Sequence, residues 1–137
     1  MDVLYLIGRI LFVAVFLTSS VAHLTDKGTM AGYAESRGVR PGRPLVLVSG
    51  LQILVGGLLV LLGIWTDVGA ILLALFTLLT SLLMHNFWRE TDAMARMNEM
   101  IQFQKDMALC GASLVLLYLA WTVEGLPLTI TGPLFSL

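Results

Sequence analysis

Four long apolar runs, at about residues 3–24, 44–65, 68–84 and 105–123, leave this chain few ways to fold. A helix rises 1.5 Å per residue, so a run of about twenty residues matches the ~30 Å hydrocarbon core of a bilayer. The runs are continuous rather than alternating, which excludes the strands of a membrane barrel. Helices satisfy every backbone group internally, as lipid demands. Composition agrees: 58% of residues are hydrophobic and only 12% charged, too little charge to solvate a globule of this size. The expectation is an all-α polytopic membrane protein, a four-transmembrane-helix bundle forming one domain over residues 1–137, with short interfacial helices in its two long loops.

The segments between the runs are also patterned. Residues 29–38 read as a short helix that Thr29 caps and Gly38 stops. Residues 91–103 read as a second amphipathic segment, capped by Thr91, with Met94, Met97 and Ile101 in a stripe that suits lipid first and a partner second. The tail, 124–137, is apolar, interrupted by Pro127, Gly132 and Pro133, and too short to span as a helix. It is expected to fold back on the bundle. The turn between the second and third spans is expected at Thr66-Asp67. Of eight Lys and Arg residues, only Arg9 lies away from the two long loops. Basic residues stay cytoplasmic, so the long loops are expected inside and both termini outside. Ser20-Val21-Ala22 resembles a signal-cleavage site. However, Asp2 and Arg9 do not fit a signal peptide, and the first run is read as a retained span.

Few side chains in these runs carry chemistry. Arg9, Phe16, Ser20 and His23 share one face of the first span. A charge near mid-bilayer costs about 2.5–3.5 kcal/mol on insertion scales, so Arg9 either snorkels or anchors a headgroup. Gln52 lies with Ser49, Gly56 and Gly63 on a small-residue face of the second span, a pattern that packs helices closely. The stretch Met84-His85-Asn86-Phe87-Trp88-Arg89 is the densest in capable side chains. The candidate ligand or intrabundle polar contacts are therefore Arg9, His23, Gln52, His85 and Asn86. Tyr33, Phe87, Trp88, Arg89 and Trp121 are the expected interfacial anchors. His23 and His85 should sit at similar depth, but two histidines without acidic or thiolate companions at ligand spacing do not make a metal site. The single cysteine, Cys110, excludes an internal disulfide and a CxxC redox pair. No Asp or Glu is expected at mid-helix, which argues against a proton-coupled antiporter. Net charge is −1, so a nucleic-acid partner is not expected.

Several stretches resemble the DoxX family. Thr29-Met30-Ala31-Gly32-Tyr33-Ala34-Glu35-Ser36-Arg37-Gly38-Val39 is similar to its GYAxSKGV stretch. Ser49-Gly50-Leu51-Gln52-Ile53-Leu54-Val55-Gly56-Gly57 with Leu62-Gly63, Met84-His85-Asn86-Phe87-Trp88, Phe103-Gln104-Lys105-Asp106-Met107-Ala108-Leu109 and Gly132-Pro133-Leu134 follow in the family's order. Relatives commonly carry Pro where Ala93 stands, and HFxKN where this chain reads Gln102-Phe103-Gln104-Lys105-Asp106. The resemblance implies a four-helix inner-membrane protein linked to quinone- or sulfur-based redox proteins.

Three classes of function follow. The first is an accessory, membrane-anchoring subunit that holds a soluble cytoplasmic redox protein through loops 25–43 and 86–104. The second is a quinone-binding oxidoreductase component using Arg9, Gln52 and His85. The third is a small lipid- or solute-binding or transport protein. With no redox-thiol, metal or nucleophile motif, the isolated chain is not expected to be an enzyme. Quinone is the candidate cofactor and haem is not expected. The lipid bilayer is a partner, and self-association into a homo-oligomer is left open.

Overall fold

A computed structural model describes residues 2–135. It is helical throughout, with no strand among the described residues. The helices are α1 (Asp2–Leu24), α2 (Thr29–Ser36), α3 (Gly42–Leu62), α4 (Thr66–Leu83) and α5 (Ala93–Thr122), with a 3-10 turn at Phe87–Arg89. Helices α1, α3, α4 and α5 are long and apolar enough to cross a membrane, giving the four-helix membrane bundle. Neighbours pack in the order α1, α3, α4, α5, and α2 lies against α3. The core is Val13 and Phe16 of α1, Ile53 and Val60 of α3, and Leu73 of α4. One end of the bundle carries both long loops and is called the loop end; the other carries the termini.

Glycines set the spacing of this row. A Cβ on Gly50 would stand 2.8 Å from the His23 Cβ, and one on Gly69 would stand 2.9 Å from the Gly56 carbonyl oxygen. The α3 helix thus presents small residues to α1 on one side and α4 on the other, and the backbones approach closely.

Three local expectations are corrected. Helix α2 is capped from Asp26, not Thr29: the Asp26 carboxylate accepts hydrogen bonds from the amides of Gly28, Met30 and Ala31. These amide bonds, led by Met30, hold the Asp26 carboxyl below its ordinary range. Helix α5 is capped by Asp92, whose carboxylate accepts from the Ala95 amide at 2.8 Å, rather than by Thr91. The α3–α4 turn lies at Gly63-Ile64-Trp65. Thr66 and Asp67 open α4 and are buried, because the tail covers them.

The fourth correction matters most. The amphipathic segment 91–103 and the fourth span 105–123 are one helix of 30 residues. At 1.5 Å per residue it is about 45 Å long, some 15 Å longer than a ~30 Å hydrocarbon core. Nothing between Gln102 and Asp106 breaks it, since good helix formers fill the junction. Its first turns therefore continue the span and do not lie flat as an independent interfacial helix.

The tail, described to Phe135, crosses the end that carries the termini. The amides of Ile130 and Thr131 donate to the Gly63 carbonyl at 2.9 and 3.0 Å. The Trp65 amide donates to the Thr131 hydroxyl at 2.9 Å. The Asp67 carboxylate accepts from the amides of Leu134 and Phe135 at 3.0 and 2.9 Å. Gly63 has φ +65°, and a Cβ there would stand 2.6 Å from the Thr129 Cα. Both the left-handed backbone and the close strap require glycine.

Candidate functional site: a shared-carboxylate cluster at the loop end

Glu99 is the hub of the loop end. It projects from the extended part of α5 toward α2 and the α4–α5 connection. Its Oε1 accepts from the Tyr33 hydroxyl at 2.6 Å and from Arg37 Nη2 at 2.8 Å. Its Oε2 lies 2.8 Å from His85 Nδ1. Arg37 Nη1 reaches Glu90 and donates to Asn86 Oδ1 at 3.1 Å. Beyond His85, its Nε2 lies 3.7 Å from Asp106 Oδ2, and Lys105 Nζ lies 3.5 Å from Asp106 Oδ1. One connected set of side chains therefore ties α2, the α4–α5 connection and two levels of α5.

Local structure explains how each group arrives. Tyr33 and Arg37 are four residues apart at the end of α2 and share a face, with the guanidinium 5.1 Å from the ring centroid. Glu99 and Asp106 are seven apart, two turns along the same face of α5. Helix α4 ends at Leu83, and the chain turns so that His85 falls between them. Asn86 is 4% exposed and also donates to the Leu83 carbonyl at 3.3 Å, closing the helix end.

The electrostatics follow from burial and charge. Burial, and then the hydrogen bond to Glu99, push the Tyr33 phenol up to about 12, so it remains a donor. Burial opposes the Arg37 charge, but contacts with Glu90 and Tyr33 outweigh it and hold the guanidinium above its ordinary value. None of these side chains has a buried polar atom without a partner. A network satisfied in this way rigidifies the elements it joins.

The residues singled out from the sequence are dispersed. His85 and Asn86 join the cluster, as does Tyr33. His23 instead pairs with Ser49, Nδ1 to Oγ at 2.9 Å, with its ring edge-on to Phe76. Gln52 donates to the Leu72 carbonyl at 2.9 Å and links α3 to α4. Arg9 is 2% exposed at the opposite end, where Nη2 donates to the Leu128 carbonyl. The tail has folded over it. Arg9, Gln52 and His85 thus do not line one cavity, and the two histidines have separate partners. Phe87 and Trp88 pack edge-on with each other and with Phe103, at centroid distances of 5.3, 5.4 and 5.7 Å. Arg89 is exposed, and Trp121 is half-buried with its indole N–H unpartnered.

Sequence reasoning missed Arg37, Glu90, Glu99 and Asp106 as site residues. Asp106, which the sequence leaves at the edge of the fourth span, is 5% exposed and stands beside His85 at the loop end. Once 93–122 is read as one helix, the seven-residue spacing of Glu99 and Asp106 is the available signal. Among the described residues, no three His, Cys, Asp or Glu groups are placed to hold a metal ion.

Comparison with known proteins bears on this architecture. Residues 4–86 match the DoxX family model. The chain is 36% identical over 116 residues to the inner membrane protein YqjF of Escherichia coli, covering 84% of this chain and 82% of that one. No solved structure gives a significant match. With the family model matching more than half of its length, the chain belongs to the DoxX family.

Proposed function

We propose that this DoxX-family protein is an accessory inner-membrane subunit, with its loop end in the cytoplasm, that docks a soluble redox protein there. The carrying observation is the α5 extension. Trp88, Met94, Met97 and Ile101 are exposed beside a loop end braced by the Glu99 cluster. Because α5 is continuous with its span, the methionine stripe is carried on a rigid extension of the bundle. Methionine-rich faces adapt to partner surfaces, and a braced platform limits the ordering cost of association. Charge supports the orientation: seven of the eight Lys and Arg residues are in or beside the two long loops, and basic loops stay inside. The name of the Escherichia coli relative supports the inner membrane.

The redox identity of the partner rests on the family resemblance, and the site's own chemistry supports a holding role. Purification in mild detergent should yield a co-eluting soluble protein with visible flavin, haem or iron–sulfur absorbance. Met94→Ser/Met97→Ser/Ile101→Ser should lose it while the bundle stays folded. A monodisperse protein carrying quinone and no partner would favour the quinone-component reading. For orientation, a reporter fused to the C-terminus should be active only on the outer face; cytoplasmic activity would reverse the assignment.

A further inference from the structure

The α1–α5 side of the bundle differs from its other seams. There, Leu4, Tyr5, Gly8, Arg9 and Phe12 of α1 face Ala112, Leu116 and Leu119 of α5 across a groove of about 510 Å³. That volume falls in the range of small-molecule sites, about 300–1,000 Å³. The lining is apolar apart from Tyr5 and Arg9. Arg9 is 2% exposed, yet its Nε and Nη1 have no hydrogen-bond partner, and neither has the Tyr5 hydroxyl. Its one hydrogen bond is to a neutral carbonyl, that of Leu128. Among the described residues no carboxylate lies within 4.0 Å of it. A buried guanidinium without a counter-charge is costly, and the packing around it does not supply one.

We propose that this groove binds one anionic phospholipid, with an acyl chain along Phe12, Ala112, Leu116 and Leu119 and its phosphate on Arg9 and Tyr5. Depth is consistent with this. Side chains on a helix lean toward its N-terminus, so the Arg9 guanidinium is carried from its backbone position toward the end that Asp2 and the tail occupy. That is the level of a headgroup, and the Tyr5 ring lies 5.0 Å from the Arg9 Cζ at the same level. The chemistry selects phosphate, because a guanidinium offers paired N–H donors to two phosphate oxygens. A net anion is required, since a zwitterionic headgroup brings its own cation to a site that already holds one.

The test uses the full-length chain in mild detergent, with dioleoyl phosphatidylglycerol as the probe. Dioleoyl phosphatidylcholine, oleate and a neutral quinone serve as comparators. Binding is read by native mass spectrometry and by the shift in unfolding temperature, since a ligand of the folded state stabilises it by mass action. Wild type should take up one phosphatidylglycerol per chain, about tenfold or more tighter than phosphatidylcholine, as expected for a charge-assisted contact. Ala112→Phe fills the groove while keeping the Arg9 side chain and should abolish saturable uptake. Arg9→Gln should retain the groove and lose the preference for the anionic lipid. Equal binding of the two phospholipids by wild type would overturn the proposal. So would wild-type uptake by Ala112→Phe, or displacement of phosphatidylglycerol by equimolar oleate or quinone. If Arg9→Gln does not fold, the wild-type lipid comparison and Ala112→Phe still decide.

Discussion

His85 and Glu99 stand 14 residues apart in the chain and join the end of one membrane helix to the extension of the next. The imidazole Nδ1 lies 2.8 Å from the carboxylate that also receives Tyr33 and Arg37. Removing Glu99 therefore takes one partner from each of three groups at once. Its side chain is 16% exposed and that of Arg37 is 14% exposed, so water compensates only in part. Glu99→Gln should lower stability by about 2 kcal/mol, the scale of losing charge-assisted bonds in a partly buried place. Lys105→Ala, at a side chain 48% exposed, should stay within about 0.5 kcal/mol. Reversible unfolding in mixed micelles measures both.

Tyr33 supplies a pH test. Its phenol is raised from 10.0 to about 12, through burial first and the Glu99 hydrogen bond second. The folded state thus holds this proton more tightly than the unfolded state. The corresponding stabilisation is complete below about pH 10 and is lost as pH rises from 10 toward 12. Phenolate absorbance that disappears in Tyr33→Phe should develop near pH 12 in wild type. In Glu99→Gln it should appear at lower pH. A Tyr33 transition near 10 in the folded wild type would show that the phenol is neither buried nor held by Glu99.

The seam between α3 and α4 should be intolerant of one methyl group. A Cβ on Gly69 meets the Gly56 carbonyl oxygen at 2.9 Å, whereas one on Gly111 meets nothing within 4 Å. Gly69→Ala should cost about 1–3 kcal/mol, the usual penalty for overpacking. Gly111→Ala should be neutral or slightly stabilising, since alanine is the better helix former. Thermal unfolding of the paired variants checks the contrast.

Asp67 holds the tail. It is fully buried and its carboxylate accepts two tail amides. Asp67→Ala should free the tail, at a cost of about 1.5–3 kcal/mol for bonds to a charged acceptor. Hydrogen exchange should show Leu134 and Phe135 losing protection while the α3 and α4 amides keep theirs. Unchanged protection at both positions would mean that the Gly63, Trp65 and Arg9 contacts hold the strap without Asp67.

Residue chemistry along the chain determined that four long apolar helices form and that small residues let them approach. Those properties are local or periodic: apolar run length fixes a span, and glycine at helical spacing fixes a close seam. Tertiary structure decided the rest. It merged 93–103 with the fourth span, because caps mark where a helix begins and nothing in that stretch obliged it to end. It placed Asp106 beside His85. It sent Arg9 and His85 to opposite ends and buried the Arg9 guanidinium beneath Leu128. Tyr33, Arg37, Glu90 and Glu99 lie on three elements, and each alone reads as a solvated polar residue. Only the packing of α2 against α3, and of the α4–α5 connection against α5, brings their charges within a few ångströms, where burial gives those charges their structural weight.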